Sequence, residues 1–142
     1  NYIRASLSDL MSLPFGDKPC MHEVLFDDAW LEGTGVTTLD FAKAMIDEGF
    51  HPMTMYFPLV VHGAMLIEPT ETESKAELDR FIEAMRLLAQ AAKAGDVDRF
   101  KGAQARMGGL DAGGLAGHAG KPGGAQGFGV GHRGLAEIAG RA

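Results

Sequence analysis

Cysteine is almost absent from this 142-residue chain, which contains only Cys20. A single cysteine excludes a disulfide within the chain and fits a reducing compartment, so we expect a cytoplasmic protein. No apolar run reaches about 18 residues, so the sequence predicts no membrane span. No charged segment followed by an apolar one opens the chain, so no signal peptide is predicted either.

Basic residues are also scarce, and they are unevenly distributed. The formal net charge is −6. Residues 1–101 carry 17 acidic and 9 basic side chains, whereas residues 102–142 carry 2 and 4. A nucleic-acid-binding surface requires a basic face. We therefore expect no nucleic-acid partner.

Long apolar side chains become rare towards the end of the chain, where glycine dominates. Fourteen of the 20 glycines lie in residues 102–142. Glycine loses the most backbone entropy on ordering, and this segment has little apolar area to offset that loss. We expect residues 102–142 to be a flexible Gly/Ala-rich extension, residues 21–101 to form the core domain, and residues 1–20 to be the end of a helix and a linker.

The apolar pattern of the first hundred residues predicts an α+β fold. Helical spacing of apolar residues opens the chain, and short apolar runs predict strands within residues 21–26, 54–57 and 64–68. Between the first two strands, Thr37 and Asp40 have the spacing of a capping box, and Gly49 is a natural helix end. The apolar side chains expected to face inward from this helix are Leu39, Ala42, Met45 and Ile46. This order predicts helices packed on a small, mostly antiparallel sheet.

The longest predicted helix follows the last strand. Thr70 and Glu73 have capping-box spacing, so the helix is predicted to begin after Thr70 and to end at Gly95. Glu71 and Lys75 lie four residues apart in the order that favours an ion pair. The apolar stripe of this helix consists of Leu78, Phe81, Ile82, Met85, Leu88 and Ala89.

The residues capable of chemistry do not form a complete active site in the sequence. None of the five histidines has metal-ligand spacing to another ligand on one helix face, so no metal site is predicted. His22 and Glu23 fall in a predicted strand, where neighbours face opposite sides, so we do not expect them to act as a pair. His51 follows a helix end and is expected to cap or pack that loop. No lysine has the desolvated setting that Schiff-base chemistry requires.

Three segments, in the right order, resemble the glycine decarboxylase family of the glycine cleavage system: Met21–Glu23, Gly33 to Phe57 and Ile67 to Arg80. The segment Tyr56-Phe57-Pro58 resembles the second subunit of the two-subunit bacterial form. The resemblance implies the C-terminal small domain of a fold-type-I enzyme that depends on pyridoxal 5′-phosphate. It implies that a large domain precedes this chain and holds the Schiff-base lysine and most cofactor contacts. No catalytic or cofactor-binding residue is therefore expected here.

The resemblance also implies an activity and partners. Such an enzyme decarboxylates glycine and transfers the aminomethyl group to the lipoyl arm of a carrier protein, with a companion subunit. Its small domain closes over the site, so the residues expected near the cleft are His22, Glu23, His51, Thr70 and Glu71. Residues 102–142 depart from the family pattern. Two alternatives remain open, namely a free-standing α+β binding or regulatory module without catalytic activity, and a truncated product without function.

Overall fold

The computed structural model describes residues 1–103. Its elements in chain order are α1 (Tyr2–Leu7), β1 (Val24–Phe26), a 3₁₀ turn (Ala29–Leu31), α2 (Thr38–Asp47), β2 (Thr54–Met55), β3 (Met65–Ile67) and α3 (Lys75–Lys93). Residues 97–103 are also helical. Within this described part, no helix combines the length and the apolar character that a membrane crossing requires.

The three strands form one antiparallel sheet in the order β1-β3-β2. Leu66 of the central strand lies opposite Leu25 of β1 and Thr54 of β2. Side chains alternate across the sheet, so one face presents buried residues to the helices while Leu25 and Leu66 on the other face stay partly exposed. The buried residues of β1 and β3 are Val24, Phe26, Met65 and Ile67. The predicted helices on a small antiparallel sheet are therefore confirmed.

The predicted cap of α2 is confirmed on both sides. The Thr37 hydroxyl accepts a hydrogen bond from the Asp40 amide at 3.2 Å, and the Asp40 carboxylate accepts one from the Thr37 amide at 3.0 Å. Gly49 follows the helix with φ of 87°, a conformation that glycine adopts without steric cost. Local sequence thus fixes both ends of α2.

The buried face of α2 differs in part from the prediction. Ala42 and Met45 are buried as expected, but Leu39 and Ile46 are more than one third exposed. Phe41 and Thr38 take their places in the core. Phe41 packs edge-on against Trp30, with ring centroids 5.2 Å apart. The helix is therefore rotated towards its aromatic residue, because the larger ring buries more apolar area.

Helix α3 begins one turn later than predicted. Its first residue is Lys75, and the Ser74 hydroxyl accepts a hydrogen bond from the Glu77 amide at 3.2 Å. Lys75 pairs with Asp79, with Nζ 2.7 Å from Oδ2, instead of with the predicted partner Glu71. The cap at the start of this helix is therefore Ser74.

The segment before Ser74 is a turn, so the predicted Thr70–Glu73 capping box is wrong. The Thr70 hydroxyl is bonded to the Thr72 hydroxyl at 2.8 Å, and the Thr70 carbonyl accepts the Glu73 amide at 3.1 Å. A helix that began after Thr70 would add residues 71–74, none of which has an apolar side chain. Such a turn has almost no apolar face to bury, and packing supplies most helical stability in proteins.

Helices α1 and α3 pack together at the closed face of the sheet. Arg86 of α3 donates to the Ser6 carbonyl at 2.6 Å and forms two hydrogen bonds, at 2.6 and 2.7 Å, with the Asp9 carboxylate. The predicted apolar stripe of α3 is buried except for Leu78, which is partly exposed. Phe100 and Ala103 complete the core. The flexible extension predicted for residues 102–142 lies outside the described residues, apart from its first two positions.

Candidate functional site

The partly open face of the sheet forms the floor of a groove of about 470 Å³, hereafter the sheet groove. Leu25 and Leu66 lie on this floor, and residues 13–23 together with Pro58 form most of the walls. Pockets of this size accommodate small ligands or short chain segments. The mainly apolar lining favours an apolar occupant.

The most exposed apolar side chains of the described residues surround the sheet groove. Phe15 and Met21 line it, and Met21 is 94 % exposed. Phe57, Leu59 and Val60 flank the lining residue Pro58, and Leu59 is 88 % exposed. Exposed apolar side chains that cluster in this way are typical of interaction surfaces.

Two hydrogen bonds hold the loop that carries Leu59. At one end, the Tyr56 amide donates to the Ala64 carbonyl at 2.8 Å. At the other end, the hydroxyl of Thr38, which is buried, donates to the Gly63 carbonyl at 2.8 Å. These hydrogen bonds fix the ends of the loop, hereafter the loop base, while the apolar side chain of Leu59 between them remains exposed.

An ion pair lies beside the base of this loop. His62 Nδ1 is 2.9 Å from Asp28 Oδ1, and this hydrogen bond, with the carboxylate's charge, raises the pKa of His62 above its usual value. Gly63 has φ of 56°, and a Cβ atom there would lie 2.0 Å from the Asp28 Cγ. The loop base thus requires glycine at position 63, both for its conformation and for space.

His22 and Glu23, predicted near the cleft, both line the sheet groove. The expectation that they face opposite sides is wrong, because β1 begins only at Val24 and neither residue belongs to the strand. His22 Nε2 lies 3.6 Å from Glu23 Oε2. The two residues therefore form an exposed ion pair once His22 is protonated.

Glu68 joins this pair and was missed by the sequence reasoning. The ligand atoms of His22, Glu23 and Glu68 lie within 4.8 Å of one another. The antiparallel pairing of Val24 with Ile67 brings residues 23 and 68 together, so the strand register is the signal that locates Glu68. Metal-binding histidines are usually oriented by a second hydrogen bond. His22 makes none among the described residues, so we assign no metal to this cluster.

The other three candidates do not line the sheet groove. His51 is exposed, its Nδ1 is 3.0 Å from the Pro52 carbonyl oxygen, and it borders a smaller pocket of about 200 Å³. Thr70 and Glu71 are exposed in the turn before α3 and do not line the sheet groove. The structure therefore brings together two of the five predicted residues.

Arg4 lines the sheet groove and was not singled out from the sequence. Its side chain is 14 % exposed and forms an ion pair with Asp17, whose side chain is 81 % exposed. Both Nε and Nη1 of Arg4 are buried, and neither makes a hydrogen bond among the described residues, although Nη1 is in contact with Asp17. Arg4 precedes the buried Leu7 by three residues and so lies on the same face of α1, but this spacing does not show which other parts of the chain it contacts.

A sheet covered by helices on one face, with an apolar groove on the other, defines a small α+β domain with an exposed apolar surface. The chain belongs to the family of the glycine dehydrogenase C-terminal domain, whose model matches residues 1–106. The resemblance inferred from the three sequence segments is thereby confirmed.

Several similar proteins carry the name probable glycine dehydrogenase (decarboxylating) subunit 2. The chain is 82 % identical over 103 residues to the protein of that name from Caulobacter vibrioides, covering 72 % of this chain and 20 % of the relative. It is 55 % identical over 86 residues to the one from Fervidobacterium nodosum, covering 60 % and 18 %. It is 50 % identical over 93 residues to the one from Staphylococcus haemolyticus, covering 66 % and 19 %. The chain thus spans about a fifth of the length of these relatives.

Proposed function

We propose that this chain is the C-terminal small domain of a glycine dehydrogenase (decarboxylating) of fold type I. That enzyme decarboxylates glycine with pyridoxal 5′-phosphate and transfers the aminomethyl group to the lipoyl arm of a carrier protein. The observation that carries the proposal is the family match over residues 1–106 together with the 82 % identity to a relative named as subunit 2.

The lysines of the described residues do not fit the cofactor's attachment point. A lysine that forms a Schiff base needs a lowered pKa, which burial among apolar groups provides. None of the lysines in residues 1–103 is buried. Lys75 is hydrogen-bonded to Asp79 and to Tyr2, and both contacts raise the pKa of its amine. We therefore derive no catalytic step from these residues and place the cofactor on the part of the enzyme outside this chain.

The contribution of this chain is a surface that closes the active-site cleft from one side. The sheet groove supplies that surface, and His22 and Glu23 stand at its rim. His51, Thr70 and Glu71 keep the same proposed place near the cleft. The proposed partners are a preceding large domain, a companion subunit, the lipoyl carrier protein and glycine, in the cytoplasm.

The direct test is reconstitution of the whole enzyme. Full-length subunit 2 carrying this chain is mixed with the companion subunit, pyridoxal phosphate and lipoylated carrier, and exchange of labelled bicarbonate into glycine is measured. We expect exchange from the assembled enzyme and none from this chain alone. Borohydride treatment of this chain with the cofactor should modify no single lysine stoichiometrically. An assembled enzyme without glycine exchange would refute the proposal.

Sedimentation distinguishes this function from a free-standing module. The exposed apolar side chains around the sheet groove predict that the chain alone self-associates at micromolar concentration. A free-standing module would instead sediment as a monomer at the same concentration. Self-association relieved by Met21→Ser would trace the effect to the groove wall.

A further inference from the structure

The loop that carries Leu59, hereafter the apolar loop, exposes three large apolar side chains. Phe57, Leu59 and Val60 are 58, 88 and 85 % exposed. Large apolar side chains that adjoin one another on a surface mark a contact with another molecule or with another part of the same protein. The apolar loop is therefore a candidate contact surface.

The apolar loop is built to hold one conformation. It begins at Tyr56, whose φ of 58° is strained for a residue other than glycine. At its other end, the Gly63 carbonyl accepts the hydrogen bond of the buried Thr38 hydroxyl. Inside the loop, the Val61 amide donates to the Pro58 carbonyl at 3.0 Å. A surface that is already ordered loses little conformational entropy when it docks, so this rigidity favours a stable contact.

The apolar loop and the sheet groove form one continuous surface. Pro58 of the loop lines the sheet groove. Phe15 lines both that groove and a second hollow of about 290 Å³, which Val60 and Val61 border from the loop. The loop therefore stands beside the groove that we place at the active-site cleft.

The hydrogen bonds of Asn1 show where a preceding polypeptide meets this surface. Asn1 Nδ2 donates to the Cys20 carbonyl at 2.6 Å, and the Cys20 amide donates to Asn1 Oδ1 at 2.9 Å. Cys20 lines the sheet groove. The family match is to a C-terminal domain, and this chain covers 20 % of the relative from Caulobacter vibrioides, so most of such a protein precedes residue 1. That polypeptide therefore reaches the domain at the wall of the groove.

We propose that the apolar loop packs against an apolar part of the polypeptide that precedes residue 1 in full-length subunit 2. This inference rests on the proposed function and names the surface that joins the small domain to the rest of the enzyme. The other candidates for covering the loop are a companion subunit and a second copy of subunit 2. The preceding polypeptide is favoured because its attachment at the adjoining groove gives it a high effective concentration there.

The reactivity of a cysteine in the loop measures whether the loop is covered. Full-length subunit 2 carrying Val60→Cys, without the companion subunit, is treated with iodoacetamide, and alkylation is followed by mass spectrometry of the peptide that contains position 60. Glu83→Cys, at an exposed position of α3, is the control in the same protein. Each rate is divided by that of the same variant unfolded in urea. We expect the normalised rate at position 60 to be at least about tenfold lower than at position 83, because a covered thiol reacts only when the contact opens.

Two substitutions of Leu59 test whether an apolar contact causes the protection. In the Val60→Cys protein, Leu59→Asp should restore most of the labelling rate, because an unpaired carboxylate is strongly disfavoured in an apolar contact. Leu59→Met keeps an apolar side chain of similar volume and is the matched control, so its thiol should stay protected. Leu59 is 88 % exposed here, so the fold of the domain does not depend on it.

Photochemical crosslinking identifies what covers the loop. The photoreactive p-benzoylphenylalanine replaces Phe57 in full-length subunit 2, which is irradiated in the assembled enzyme. We expect a crosslink within one polypeptide, with a partner peptide that precedes residue 1. A product of twice the mass of subunit 2, a product joined to the companion subunit, or a partner peptide within this chain would each overturn the inference.

The outcomes separate this inference from the proposed function. Equal normalised rates at positions 60 and 83 would show that the loop is uncovered and would overturn the inference. Protection that survives Leu59→Asp would also overturn it, because the contact would not be apolar. The glycine exchange assay decides the proposed function independently, so an active enzyme with an uncovered loop would refute the inference alone.

Discussion

The Ser74 hydroxyl decides where α3 begins, and its removal gives the sharpest test of the fold. In Ser74→Ala, the Glu77 amide loses the acceptor that lies 3.2 Å away. Loss of an N-cap hydroxyl costs about 1 kcal/mol. That loss raises the unfolding equilibrium constant about fivefold. The melting temperature of a domain of this size should fall by roughly 4–8 °C.

Thr70→Ala is the control, because it removes a hydroxyl, together with one methyl group, from a side chain four residues earlier. The Thr70 hydroxyl bonds the Thr72 hydroxyl, and both residues are exposed in the turn. Exposed substitutions of this kind usually change stability by no more than about 0.5 kcal/mol. The difference between the two variants therefore isolates the cap.

The measurement is urea unfolding at neutral pH, followed both by far-ultraviolet circular dichroism and by the fluorescence of Trp30, which is buried. The two signals should give coincident transitions, and the midpoints are compared at a shared slope. If Thr70→Ala destabilises as much as Ser74→Ala, the helix begins a turn earlier in solution and the assignment of its cap is wrong.

Three further predictions concern the loop base between β2 and β3. Gly63→Ala should lower the free energy of unfolding by about 2 kcal/mol or more, because the new Cβ would overlap Asp28 at a position with positive φ. Gly16→Ala is the control: Gly16 also has positive φ but open space around it, so the loss there should be about 1 kcal/mol. Thr38→Val should cost roughly 1–3 kcal/mol in urea unfolding, because the Gly63 carbonyl loses its donor. Asp28→Asn should lower the pKa of His62, measured by NMR titration. Because Asp28 raises the pKa of His62 in the folded protein, the ion pair contributes its full stabilisation below about pH 6.5, the ordinary histidine pKa. This stabilisation is lost as the pH rises through the pKa that His62 has in the folded protein. An unchanged His62 pKa in Asp28→Asn would show that the pair does not persist in solution.

Local sequence patterns predicted the start of a helix correctly where only one residue was a candidate for the N-cap. Thr37 and Asp40 are followed by the apolar positions of α2, so the cap was found correctly. For α3, the pattern Thr70-x-x-Glu73 is followed at once by Ser74-x-x-Glu77, and both have capping-box spacing. Which of the two caps is used depends on whether the helical turn that follows it can bury an apolar face. That burial depends on the parts of the chain against which α3 packs, and not on the cap residues themselves.

The candidate site was predictable only in part, for a related reason. His22 and Glu23 were found because they belong to a recognisable segment. Arg4 and Glu68 were missed, because the burial of Arg4 depends on α1 packing beside the sheet and the position of Glu68 depends on the register of β1 with β3. Both depend on residues distant in the sequence, which no local pattern specifies.

The strand order β1-β3-β2 has a consequence for how the domain forms during synthesis. The central strand, Met65–Ile67, is the last of the three to be made, and both outer strands pair with it and not with each other. Until β3 leaves the ribosome, β1 and β2 lack the strand with which they pair. Helix α1 packs against α3, which is made later still. Contacts that join distant parts of a chain slow folding. The first sixty residues therefore cannot complete the sheet by themselves, and we expect the domain to form only once α3 has been made.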